Sequence, residues 1–181
     1  MNIQLNPLVA HLVKNIPEDS APYVRSQYDK LIAERDTSDV WRQFAIWLLV
    51  DPDHGVIRFT KHDSPQYRAI KHVARLYDEN CKHANVWRKA AWDADKAADA
   101  AAHAADAAYY ASCAVFYAAA ACFRAADAAA DAAVDAAYAA VDAAKAAAYA
   151  VAAHAARLSF YKHMAEKLLE LLQLAPPKEN V

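Results

Sequence analysis

Asp99, His103 and Asp106 stand at i, i+4 and i+7, a spacing that lines two carboxylates and an imidazole along one helical face. That is the arrangement a metal ion or a general acid/base pair requires. Nothing else in the chain completes such a site, and the paired Glu-x-x-His motifs of di-iron bundles do not occur. The three residues therefore read as a solvated polar face. Asp127, Asp131 and Asp135 repeat the pattern with charge alone. Like charges one turn apart cost a few tenths of a kcal/mol per pair, which Arg124 and Lys145 are placed to offset. The run Asp51-Pro52-Asp53-His54-Gly55 opens like a calcium loop but lacks the later ligands, so turn chemistry accounts for it. Gly55 is the sole glycine, which excludes a nucleophile elbow, a P-loop and a dinucleotide fingerprint. No catalytic residue, cofactor or metal is expected.

Cationic and aromatic residues offer a different chemistry. Arg68, Lys71 and Arg75 fall at i, i+3 and i+7 on one helical face, and Trp87 and Trp92 follow on the next helix. A guanidinium suits bidentate anion recognition and an indole suits stacking, so a phosphate-bearing ring is the matching guest. His103 and Tyr110 extend the candidate ligand set along the same helix. In the competing structural reading, Arg68 pairs with Asp63 or with an acidic residue of the alanine helix, and the aromatics fill the core between thin helices.

The elements that must position these residues are all helices. Asn6-Pro7 starts the first, with Leu8, Leu12 and Ile16 on one face before Pro17 ends it. A second runs from Ser20 or Pro22 to about Arg35. Thr37 or Ser38 caps a third, whose Trp41, Phe44, Ala45, Leu48 and Leu49 belong in the core. After the glycine turn, Val56 to Thr60 reads as a short extended piece. Ser64-Pro65 opens a fourth helix that buries Tyr67, Ile70, Val73, Ala74 and Tyr77.

Beyond it the chain turns alanine-rich, and the alanines are phased in steps of four and three. Ala90, Ala94, Ala97, Ala101, Ala104 and Ala108 make one seam; Ala126, Ala129, Ala133, Ala136, Ala140, Ala143, Ala147 and Ala150 make a second. Trp92, Asp95 and Asp99 face away from the first seam, and Asp127 through Asp142 face away from the second. The two seams are out of phase across the aromatic join Tyr109 to Arg124, which points to a reversal there with Ser112 as N-cap. One unbroken helix from Ala84 to Leu174 would be a rod of roughly 135 Å with its apolar stripe uncovered. The fold class is thus all-α: a compact multi-helix bundle with closely packed alanine-rich helices in its C-terminal part. Residues 1–175 form a single domain, divided into mixed helices (1–83), alanine-rich helices (84–157) and a terminal amphipathic helix (158–174), followed by a loose tail, 176–181.

Bulk properties narrow the function. A net charge of −2 and an isoelectric point near 6.4 supply no global basic field, which argues against nucleic acid and anionic membranes as partners. The charge is uneven, with 13 Lys+Arg against 11 Asp+Glu up to Ala90 and 7 against 11 thereafter. Three cysteines without a paired spacing, no signal sequence and no uncharged membrane-length run indicate a cytoplasmic protein.

Three stretches carry a family resemblance: DSPQYRAIKHVARLYDENCK (Asp63 to Lys82), VWRKAAWDADKAADAAAHAADAA (Val86 to Ala108) and FYKHMAEKLLELLQL (Phe160 to Leu174). With Asp63, Arg68, Ile70, Trp87 and Trp92 as its most specific positions, the chain from about Trp41 to Leu174 resembles the alanine-rich, all-helical immunity proteins with an immunity-protein-five-like domain, found in bacteria and phages. It differs from them in carrying Asp where relatives carry Arg along the alanine helices. The resemblance implies a non-enzymatic protein that neutralises a toxin or defence effector by binding it. On that reading the acidic stripe Asp127, Asp131, Asp135 and Asp142 docks on a protein partner. Alternatively the chain is a sponge that sequesters a small nucleotide-like immune signal among Arg68, Lys71, Trp87, Trp92, His103 and Tyr110. A metal-dependent hydrolase is the weakest alternative, and self-association into a homo-oligomer stays open. His103→Ala and Asp106→Asn are expected to leave biological activity intact; loss of activity in variants that keep their circular dichroism and melting temperature would establish a catalytic role instead.

Overall fold

A computed structural model of the chain describes residues 6–16, 21–101, 113–114, 116–121, 139, 142–143, 146 and 154–178. Among them the architecture is all-helical: α1 (Asn6–Lys14), α2 (Ala21–Glu34), α3 (Val40–Val50), a 3₁₀ turn (Val56–Phe59), α4 (Pro65–Asp78), α5 (Ala84–Ala101) and α6 (His154–Leu174), with residues 116–121 also helical. None of the described helices is long and apolar enough to cross a membrane.

Each local signal has a physical outcome. Leu8 and Leu12 are buried on one side of α1, and Ile16, two residues past its end, is buried as well. Ser64 caps α4 by accepting from the Tyr67 backbone N–H at 3.1 Å, with Pro65 at the first helical position. Asn80 ends α4 in the left-handed conformation (φ 50°), and the bonds Cys81 N–H to Leu76 O and Asn80 N–H to Tyr77 O close a Schellman motif. At the Asp51–Gly55 turn, the Asp51 Oδ1 atom accepts from the backbone N–H groups of Asp53 and His54. A Cβ on Gly55 would sit 2.5 Å from the Asp51 nitrogen, so only glycine permits that approach.

Four expectations need correction. The cap of α3 is Asp39, not Thr37 or Ser38, and its carboxylate does not bond the helix N-terminus because the Arg42 guanidinium and the Gln43 amide take it. Val56 to Phe59 is a 3₁₀ turn rather than an extended piece: with no neighbouring strand among the described residues to pair, its backbone bonds locally, and Val56 is buried. Tyr67 is only half-buried; Gln66 takes the interior position and donates to Ala97 O at 3.0 Å, tying α4 to α5. The tail is not loose through Lys178. Asp36 N–H bonds Pro176 O, Lys178 N–H bonds Glu34 O, and Arg35 pairs with Pro177 in an antiparallel bridge.

The first half of the first alanine seam is an interface as read, with Ala90, Ala94 and Ala97 buried against α4; Ala104 and Ala108 lie outside the described residues. Of the second, Ala143 is fully buried, and Ala139 and Ala146, each one residue before a predicted seam position, are buried too; Ala126, Ala129, Ala133, Ala136, Ala140, Ala147 and Ala150 lie outside the described residues. Ala118 to Ala121 are all buried, so this stretch runs through the interior with apolar cover on every side. The described part of the aromatic join is therefore helix; Ser112 lies outside the described residues. Terminal α6 begins four residues earlier than predicted and packs on α1, α2 and α3. A ladder of rings joins α3 to it: Trp47 stacks on Phe160 (6.4 Å) and on His54 (5.6 Å), which meets His163 at 4.6 Å.

One polar relay crosses this core. Trp41 Nε1–H donates to the Tyr77 hydroxyl at 3.1 Å, and that hydroxyl donates to Ala118 O at 2.6 Å. Tyr77→Phe keeps the ring but strands the buried Trp41 indole N–H and removes the hydroxyl's bond to Ala118 O, and is expected to destabilise the fold by about 1–3 kcal/mol. Chemical denaturation against the parent protein measures it; an unchanged midpoint would show that the relay contributes nothing.

Candidate functional site

The cationic face of α4 forms as its spacing predicts. The helix turns Ile70, Val73, Ala74 and Tyr77 inward, which leaves Arg68, Lys71 and Arg75 exposed on the outer side. Grooves flank this crest on both sides. One, of about 550 Å³, lies against α3, where Ile46 and Val50 supply an apolar floor beneath Arg68, Lys71 and Arg75. The other, of about 350 Å³, runs between α4 and α5 past Arg68, His72, Asp93 and Lys96. Arg68 and His72 line both grooves.

The charges differ in how they are held. Arg75 lies 3.6 Å from Glu79, and Lys89 bonds Asp93 at 2.6 Å. Burial, with the Arg75 guanidinium beside it, holds the His72 imidazole below its ordinary pKa, so at neutral pH His72 is uncharged and its Nδ1 faces Arg75 Nη2 at 3.3 Å. Arg68 and Lys71 make no ion pair with any described residue. Asp63, the predicted partner of Arg68, instead meets His62 at 2.9 Å. From Pro65 to Ala101 there are seven Lys+Arg against five Asp+Glu, so the α4–α5 hairpin is positive on a protein that is negative as a whole.

The two indoles do not join the cationic face as predicted. Trp87 continues the buried stripe of Ala90, Ala94 and Ala97 and is only 1% exposed. Its ring meets Tyr77 at 4.8 Å, and its Nε1–H donates to Cys81 O at 3.0 Å. Trp92 lies roughly 160° around the helix from Ala94. It is 63% exposed, with the Lys96 ammonium 5.2 Å from its ring centroid. The helical period that makes the seam therefore separates the two tryptophans. Asp142 is helical and half-buried, and it has an interaction within the chain. His103, Tyr110, Asp127, Asp131 and Asp135 lie outside the described residues.

Sequence reasoning missed a second set of groups around Trp87. Trp41, Arg42 and Asp39 from α3 meet Tyr77 from α4 and Lys82 from the connection to α5, lining a cleft of about 130 Å³. The Trp41-Arg42 pair was visible in the sequence; its proximity to Lys82 depends on how α3 crosses α4. Among the described residues no three His, Cys, Asp or Glu side chains converge to hold a metal. Comparisons of the chain with models of known families, with curated proteins and with solved structures give no match.

The two tryptophans are expected to separate cleanly on substitution. Trp87→Ala should cost about 3–5 kcal/mol as a core truncation, and Trp92→Ala should stay within about 0.5 kcal/mol of the parent. Urea denaturation reads both; equal costs would contradict the inward and outward placements.

Proposed function

We propose that this chain is a non-enzymatic neutralising protein of the immunity or counter-defence kind, which docks the α4–α5 surface on an acidic face of a protein toxin or defence effector. The supporting observation is the crest itself: Arg68 and Lys71 stand exposed without an ion pair among the described residues, between two grooves, on a net-positive hairpin. Arginine is among the side chains that most often dominate binding energy when a partner covers them. Complementary charge speeds encounter and selects the partner.

Breadth favours a macromolecule over a nucleotide-like signal. Small-ligand sites enclose most of their guest, and the observed separation of Trp87 and Trp92 leaves no pair of indoles beside Arg68 to enclose a ring. The cationic crest also replaces the acidic stripe as the proposed docking face.

The test immobilises the full chain, passes over it a lysate of cells with induced toxin and antiviral systems, and identifies bound proteins and heat-released small molecules by mass spectrometry. An acidic protein is expected, its capture falling at least roughly tenfold in the charge reversal Arg68→Glu/Lys71→Glu and weakening as salt rises, with the melting temperature unchanged. Capture indifferent to the reversal, or release of a small molecule alone, would overturn the reading.

A further inference from the structure

The packing of α6 on α3 brings two imidazoles together that nothing in the sequence links. His54, in the Asp51–Gly55 turn, and His163, in the middle of α6, have ring centroids 4.6 Å apart, with their planes inclined at 57°. The pair is held in place by its neighbours. Trp47 stacks on His54 at 5.6 Å and also on Phe160, which stands one helical turn before His163.

Asp51 decides which His54 nitrogen is available. Its Oδ1 atom accepts from the backbone N–H groups of Asp53 and His54 and lies 3.2 Å from His54 Nδ1. A carboxylate can only accept, so Nδ1 carries the proton and Nε2 keeps its lone pair. Neither Nε2 of His54 nor a ring nitrogen of His163 hydrogen-bonds any described residue. Lys167, one turn beyond His163, is engaged by Glu170 at 2.9 Å. Both imidazoles are half-buried, the His54 side chain 34% exposed, so small ions reach rings that the fold keeps in position.

A carboxylate that holds one imidazole nitrogen while the other stays unbonded is how proteins orient histidines that ligate metals. Two imidazoles on one ion each place a nitrogen about 2.0–2.1 Å from it, which sets their ring centres roughly 5 Å apart. The observed 4.6 Å matches that distance, and the 57° inclination sets the contact apart from a parallel stack. We propose that His54 and His163 form a two-imidazole clamp for one divalent transition ion, Zn²⁺, Cu²⁺ or Ni²⁺, with Asp51 orienting His54. Imidazole suits these ions, whereas Mg²⁺ and Ca²⁺ demand oxygen ligands. No third His, Cys, Asp or Glu among the described residues joins the pair, so water or an outside ligand completes the coordination shell. The ion staples the glycine turn to α6, and the site is independent of the α4–α5 surface.

The test titrates the full chain with Zn²⁺ by calorimetry and, up to one equivalent, with Cu²⁺ by electron paramagnetic resonance. One saturable Zn²⁺ site is expected, with two coordinated nitrogens in the Cu²⁺ spectrum and no response to Mg²⁺. His54→Ala, His163→Ala and Asp51→Asn, which keeps the Oδ1 acceptor of the turn, should each weaken Zn²⁺ binding at least roughly tenfold. Exposed His62→Ala should leave it unchanged. On the unmodified chain, which serves if a variant misfolds, Zn²⁺ should slow the reaction of His54 and His163 with diethyl pyrocarbonate and spare His62, read by residue-resolved mass spectrometry. Absence of a saturable site, a single coordinated nitrogen, an equal response to Mg²⁺, Zn²⁺ affinity indifferent to His163→Ala, or equal protection of His62 would each overturn the proposal.

Discussion

The Tyr77 hydroxyl accepts from Trp41 and donates to Ala118 O, while its ring lies against Trp87. One side chain of α4 thereby fixes α3, α5 and the buried helical stretch 116–121 against one another. In an alanine-rich interior such a group carries unusual weight. Each buried methyl contributes little area and fits its neighbours in many registers, so packing alone selects weakly among them. A buried donor and acceptor that must be met at set positions selects strongly, because leaving either unmet costs the full desolvation of that group.

The same logic appears wherever the helices are tied together. Gln66 spans from α4 to a backbone carbonyl of α5. Tyr28 of α2 donates to Ala165 O of α6 at 2.5 Å, and burial pushes its phenol well above the ordinary range, so it remains a donor at any pH the protein meets. The backbone bonds of Asp36 and Lys178 fasten the end of the chain beside α2. Large apolar volume is concentrated in α3, α4 and α6, and the alanine helices pack close against it. The structure divides the work between volume, which supplies burial, and a few buried polar contacts, which supply geometry.

That division shapes the surface as well. Because α4 sends its aromatic and aliphatic side chains inward to the relay, its Arg and Lys side chains are left together on the outside. Because α5 turns Trp87 toward the same relay, Trp92 is carried to solvent. A broad cationic face and a small aromatic cleft therefore result from one packing arrangement, on opposite sides of α4.

The all-helical class, the α4 cap at Ser64, the glycine turn and the inward face of the first alanine seam were legible in the residues, since each depends on local bonding or on a 3.6-residue period. The exposure of Arg68, Lys71 and Arg75 was legible for the same reason. Beyond the reach of the sequence were α6 returning to cover α1, α2 and α3, the Arg35–Pro177 bridge, and the meeting of Trp41, Tyr77, Trp87 and Lys82 around one cleft. These contacts join positions far apart in the chain, and an alanine repeat constrains them poorly because one register buries nearly as much as the next. Periodicity states which face of a helix is apolar; which other helix covers it, and which aromatic ring meets which, was decided by the buried hydrogen bonds that only the assembled structure can complete.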